Sequence, residues 1–184
     1  MSFWKTFDLP ARLRASLREV RRVQSLVGTA MLAALNLVLN QFTIMVSQFL
    51  EIGFAFLATA MAGFLYGPWL AGLMGVVTDT LGWFLRPNGA YMPLWAINEF
   101  LLGFIHGCFL YKKPVSVPRT LAACAVGMLA INLFLTPLWL HLMYGNAFVL
   151  TGLRLIKNLI KLPIDTALLY ALLKIAEKRR PGLQ

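Results

Sequence analysis

Acidic side chains are few: seven Asp and Glu stand against 17 Lys and Arg among 184 residues, a formal net charge of +10. Cysteine is scarcer still. Cys108 and Cys124 are the two, each inside an apolar run with no second ligand at metal-binding spacing, which argues against a disulfide framework and against a metal site. The chain lacks a P-loop, a Gly-x-Ser-x-Gly elbow and a His-Glu-x-x-His pair, so the motif-borne chemistry of ATP hydrolysis, acyl transfer and zinc proteolysis is not expected here. His106 and His141 are single and lie on different apolar stretches. They read as packing or interface residues rather than catalysts. No enzyme activity, metal or cofactor is expected of this chain.

What the sequence has is apolar length. Hydrophobic residues make up 59% of the chain and charged residues 13%, with a mean hydropathy of +0.72, more apolar surface than one water-soluble core can hide. Six apolar stretches run over 26–46, 51–66, 69–85, 94–111, 120–142 and 151–175. A membrane-crossing helix needs about 20 such residues. Each break has a chemical cause: Glu51-Ile-Gly53, Gly67-Pro68, Arg86-Pro-Asn-Gly89 with Pro93, Lys112-Lys-Pro with Pro118, and Tyr144-Gly-Asn146. Barrel-type alternation is absent. The expected fold is an all-α integral membrane protein, one bundle of six transmembrane helices over 26–175. A basic segment, 1–25, precedes it, and a basic tail, 176–184, follows.

Positive charge then reads as topology rather than nucleic-acid binding. With both termini in the cytoplasm, thirteen of the 17 basic residues fall on the inner side, and the outer connections hold only Arg86. The first 25 residues carry six basic groups and an aromatic set, Phe3, Trp4 and Phe7, without a signal-peptide pattern. They read as a segment on the inner leaflet, the alternative being a disordered positive tail.

Six charged residues stand inside the apolar stretches: Asp79, Glu99, Arg154, Lys157, Lys161 and Asp165. Each costs about 2.5–3.5 kcal/mol near a bilayer centre, so each calls for a partner or a task. Lys161 and Asp165, at i, i+4, can simply pair. Arg154, Lys157 and Lys161 form one helical stripe, suited to an anionic ligand. With Asn98 beside Glu99 and Asn158 beside Lys157, the polar groups cluster toward the outer halves of the fourth and sixth stretches. One outward-facing pocket is expected, with Asp79 nearer mid-membrane. The connection from Arg86 through Asn88-Gly89 and Tyr91 to Pro93 reads as a rigid lid over that pocket or as a tight turn with an interfacial Tyr. Pro163 and Pro137 should disturb the sixth and fifth helices. Ala30 with Ala34, Ala58 with Ala62, and Gly72, Gly75 and Gly82 mark close helix approaches.

These residues carry a resemblance. Phe64-Leu-Tyr-Gly-Pro68, Gly72-x-x-Gly75-x-x-x-Asp79-x-x-Gly82, Pro87-x-Gly89-x-Tyr91-x-Pro93, Leu102-Gly103-Phe104-Ile105-His106-Gly107, and Arg154-x-x-Lys157-Asn158 with Pro163 together resemble the S components of energy-coupling factor (ECF) vitamin transporters, most closely the folate-type members. His106 stands where a Tyr would be expected. The resemblance implies a six-helix, non-catalytic, vitamin-binding subunit of an ABC-type importer in a bacterial cell membrane. It also implies docking through Ala30 and Ala34 on a transmembrane coupling subunit, with ATP used by two cytoplasmic ATPases. The ligand contacts expected from charge and depth are Arg154, Lys157, Asn158, Asn98, Glu99, Asp79, Arg86 and Tyr91. Riboflavin and thiamine are the alternative vitamins, and a non-transporting membrane scaffold is the alternative of a different class.

Overall fold

A computed structural model of the chain describes residues 9–42, 44–47, 50–85, 87, 92–144 and 151–179. The elements run α1 Leu9–Glu19, α2 Val23–Gln41, β1 Ile44–Ser47, β2 Leu50–Ile52, α3 Ala55–Tyr66, α4 Pro68–Leu85, α5 Pro93–Leu110, α6 Val117–Met128, a π-helical stretch Leu129–Leu135, α7 Thr136–Tyr144 and α8 Thr151–Arg179. Among the described residues, three rods are long and apolar enough to cross a membrane: α2 with 19 residues, α5 with 18, and the 23 residues from Val117 to Trp139.

The expected first helix is shorter than its apolar run. It stops at Gln41, where the Phe42 N–H closes a tight turn on the Leu39 carbonyl 3.1 Å away. The last apolar residues of that run enter an antiparallel hairpin that pairs Ile44 with Ile52 and Met45 with Glu51. An otherwise helical fold therefore carries two short strands. Apolar character alone does not separate a helix end from a strand of four residues.

Small residues decide how the helices meet. Ala58, Ala60, Ala62 and Gly63 are buried on α3. A Cβ on Gly63 would lie 2.8 Å from the Gly107 nitrogen, so α3 and α5 touch backbone to backbone. Along α4 and α5 the approach is closer still. A Cβ on Gly75 would strike the Glu99 carbonyl, and one on Gly103 would strike the Ala71 carbonyl. Trp69 and Phe104 pack edge to face at 5.2 Å beside this seam. Asn36 of α2, 5% exposed, donates to the Ala55 carbonyl at 2.8 Å and to Thr59 Oγ1 at 3.0 Å, satisfying the polar groups that its burial would otherwise strand.

The basic N-terminal segment is helical over α1, and it docks on the bundle. Arg12 Nη2 donates to the Cys108 carbonyl. Ser16 is fully buried, its hydroxyl 3.4 Å from the Tyr66 carbonyl, and it lies against Gly67. That glycine links α3 to α4 at φ +91°, which a residue with a Cβ rarely adopts.

Pro137 acts through the π-helical stretch. It has no N–H to offer, and just before it the Thr136 N–H reaches five residues back to the Ile131 carbonyl. Pro163 lies inside α8, which continues through it to Arg179.

Candidate binding site

α5 is shared between two environments. Its glycine face is pressed onto α3 and α4. Another face, bearing Glu99, Leu102 and His106, borders a cavity of about 510 Å³. α6, the π-helical stretch and α7 contribute Cys124, Gly127, Ile131, Asn132 and Thr136; α8 contributes Asn158, Lys161, Leu162 and Asp165; Asn40, Gly53 and Phe56 close the side near the hairpin. The volume falls in the usual range for small-ligand sites, with an apolar wall and a few convergent polar groups.

The polar groups come from five elements: α2, α5, the π-helical stretch, α7 and α8. Asn158 is 5% exposed, and its Oδ1 accepts from Asn132 Nδ2 at 3.2 Å. The π-helical register brings Asn132 to this wall, a use such stretches often have near sites. Lys161 Nζ stands 3.8 Å from Asp165 Oδ2. The i, i+4 pair anticipated from spacing therefore exists, and it lines the cavity. Glu99 also lines it.

Other anticipated residues are placed differently. Asn98, 3% exposed, is not on the cavity wall; its Oδ1 accepts from Trp139 Nε1 at 2.9 Å and ties α5 to α7. Asp79 is half-buried on α4, one turn past the Gly75 contact with Glu99, and is likewise not among the lining residues. Arg86 and Tyr91 lie outside the described residues. Arg154 and Lys157 lie in the first two turns of α8, ahead of Asn158, with their side chains outside what is described.

The cavity also includes residues that sequence reasoning did not nominate: His106, Asn132, Asn40 and Cys124. Asn40 has a polar partner. His106 is 2% exposed, with Nδ1 held 2.8 Å from the Leu102 carbonyl. A single histidine in an apolar run gives no sign of which helix it will face.

A family profile described as "ECF transporter, substrate-specific component" matches residues 24–173. The chain belongs to this family. It is thus a substrate-binding component of a membrane transporter rather than an enzyme. It is 34% identical to the folate transporter FolT of Clostridium novyi (strain NT) over 160 residues, 86% of this chain and 93% of that protein. The folate transporter FolT of Leuconostoc mesenteroides subsp. mesenteroides is 29% identical over 151 residues, 78% of this chain and 81% of that one. Among solved structures, the crystal structure of FolT bound with folic acid superposes with a TM-score of 0.73 at 36% identity, covering 82% of this chain and 91% of the other. The helical S-component architecture expected from the sequence agrees with that match.

Proposed function

We propose that this chain captures a folate in the cavity between α5, α6–α7 and α8 and delivers it across a bacterial membrane when docked on an ATPase-driven coupling module. The observation that carries the reading is the pairing of an S-component fold with a polar, ligand-sized cavity, in a chain whose relatives are named folate transporters. A folate has a pterin with a donor and acceptor edge, an aminobenzoate that suits apolar walls, and a tail with two carboxylates. Arg154 and Lys157 would receive the carboxylates, with Asn158 and Glu99 meeting polar atoms further along the ligand. Arg86 and Tyr91 would act from the lid over the entrance, and Asp79 and Asn98 would hold the surrounding helices in register.

Six membrane crossings account for the rods: α2, α3, α4, α5, α6–α7 and α8. Both termini then face the cytoplasm, with segment 1–25 on the inner leaflet, 26–175 as the binding domain and 176–184 as the basic tail. The coupling subunit would dock at Ala30 and Ala34. Both are exposed on α2 beside Val27, Met31 and Val38, so that face is open among the described residues. ATP would be used only by the partner ATPases, with no cofactor in this chain.

Isothermal titration of the purified chain in detergent, without ATP, should show folate bound in preference to riboflavin and thiamine. Thiamine is cationic, which the Arg–Lys stripe disfavours. Tighter binding of either of the other two vitamins would overturn the folate assignment.

A further inference from the structure

α1 has two faces, and the bundle takes only one of them. Arg12 donates to the Cys108 carbonyl in the last turn of α5. Carbonyls at that position lack an N–H partner within their own helix, so the guanidinium caps α5 from another element. Ser16, one turn on, is fully buried, its hydroxyl 3.4 Å from the Tyr66 carbonyl. A Cβ on Gly67 would collide with that hydroxyl and would lie 3.3 Å from Tyr111 Cγ. α1 is therefore seated in the corner where the α3–α4 turn meets the end of α5. Its one acid, Glu19, is already engaged: it pairs with Arg22 at 3.3 Å and accepts from the Ser25 hydroxyl.

The other face is cationic. At about 100° per residue, Arg14 and Arg18 lie roughly opposite Arg12 and Ser16, and Arg21 follows in line just past the helix. All three are exposed, and among the described residues none has a carboxylate or a hydrogen-bond acceptor as a partner. Leu17, 48% exposed, lies beside them. The contacts of Arg12 and Ser16 keep the helix from rolling over to bury this face. Unpaired arginines within two turns repel one another unless counter-charge covers them. Cys108 is within one turn of the end of α5, so α1 sits at the level where a membrane-crossing α5 passes from hydrocarbon into headgroups. An anionic leaflet matches this face in level and in charge, and in giving Leu17 apolar chains to enter beside the arginines.

We propose that the Arg14, Arg18 and Arg21 face of α1 binds the phosphates of anionic phospholipids and so ties the inner leaflet to the corner in which α1 is seated. The inference rests on reading segment 1–25 as lying on the inner leaflet, and it adds which residues meet lipid and which lipid chemistry they select. A guanidinium fork donates to two phosphate oxygens at once. Arg12 and Arg22 take no part, because α5 and Glu19 already hold them.

The test takes the purified full-length protein in neutral-detergent micelles that hold equal amounts of phosphatidylglycerol and phosphatidylcholine, and measures by native mass spectrometry the ratio of the two lipids retained. At about 0.1 M salt the unmodified protein should retain phosphatidylglycerol in excess, and about 1 M salt should remove the excess by screening. An arginine near an anionic surface contributes about fivefold. Arg14→Gln, Arg18→Gln and Arg21→Gln combined should therefore lower the ratio by about tenfold or more, with the melting temperature and folate affinity unchanged. Lys at the same three positions keeps the charge and should keep most of the excess. An unaltered ratio in the folded Gln variant would overturn the proposal, and loss of cellular uptake by that same variant would then assign the face to a protein partner. Micelles have no sides, so the leaflet is tested apart from the lipid site. Trypsin should cut at α1 in inside-out membrane vesicles and not in right-side-out ones; the reverse would overturn the inner-leaflet reading whatever the lipid ratio.

Discussion

The two sides of α5 differ as scaffold and site differ. On one, Gly75 and Gly103 bring α4 and α5 to backbone contact, and Phe100 and Phe104 stack at 5.9 Å. On the other, the same helix faces a cavity whose wall carries the Asn132 to Asn158 hydrogen bond, with Trp139 to Asn98 tying α7 to α5 away from it. The first side has no room for a ligand among the described residues. The second has room, because α6 passes into a π-helical stretch and because the side chains there are too polar to collapse on one another. Close packing on one face supplies the rigidity that holds the open face in shape.

The sharpest way to break this contrast is to enlarge one glycine on each side. Gly103→Leu should destabilise the protein by more than about 3 kcal/mol, since the obstructing atoms are the Ala71 backbone and cannot rotate away. Gly127→Ala, whose methyl meets the flexible end of Leu102 at 3.3 Å and His106 Cε1 at an ordinary contact distance of 3.7 Å, should cost less than about 1 kcal/mol. Thermal melting and size-exclusion profiles in detergent compare them directly. Equal loss in both would mean that the cavity side is as rigidly packed as the seam.

A smaller effect, confined to binding, is expected on the open side. Arg154→Ala should weaken folate binding by about 1.5–3 kcal/mol while leaving the melting temperature unchanged, the magnitude typical of a lost charge-assisted partner. Pteroate, which lacks the glutamate, should bind the variant and the unmodified protein equally. A matching loss for pteroate would assign Arg154 to structure.

The smallest effect on the purified protein is expected on α2, away from both faces. Ala34→Trp adds bulk to an exposed position, so folate affinity should stay unchanged. Uptake by cells expressing the whole transporter should be lost if this face meets the coupling subunit. Retained uptake would remove the docking role, and lost affinity would show that Ala34 packs inside the chain after all.

Much of the architecture was legible because it follows from composition and local chemistry. Apolar runs of helical length, broken by Gly67-Pro68 and Pro118, and small residues at helical spacing on α3 and α4 identify helices and their close faces without coordinates. The i, i+4 spacing of Lys161 and Asp165 already contained their pairing. The cationic stripe is an expectation from residue type, and the side chains of Arg154 and Lys157 lie outside what is described.

Three features were decided only in three dimensions. The hairpin at Ile44–Ile52 depends on which strand the end of an apolar run finds beside it, a question of pairing rather than propensity. Asn98 and His106 are both buried polar residues on α5, yet the Asn98 acceptor is taken by Trp139 while its amide donor stays unpaired, and His106 keeps Nε2 unpaired. Eight residues put them about 80° apart around the helix, and α7 and α6 bring different neighbours to each level. Sequence by itself determined that this chain would be a bundle of apolar helices carrying a few costly charges. Which charges face a ligand and which face one another was left to tertiary packing, because a polar atom's role depends on whether a partner stands within hydrogen-bond reach, and that reach is set by helices distant in the chain.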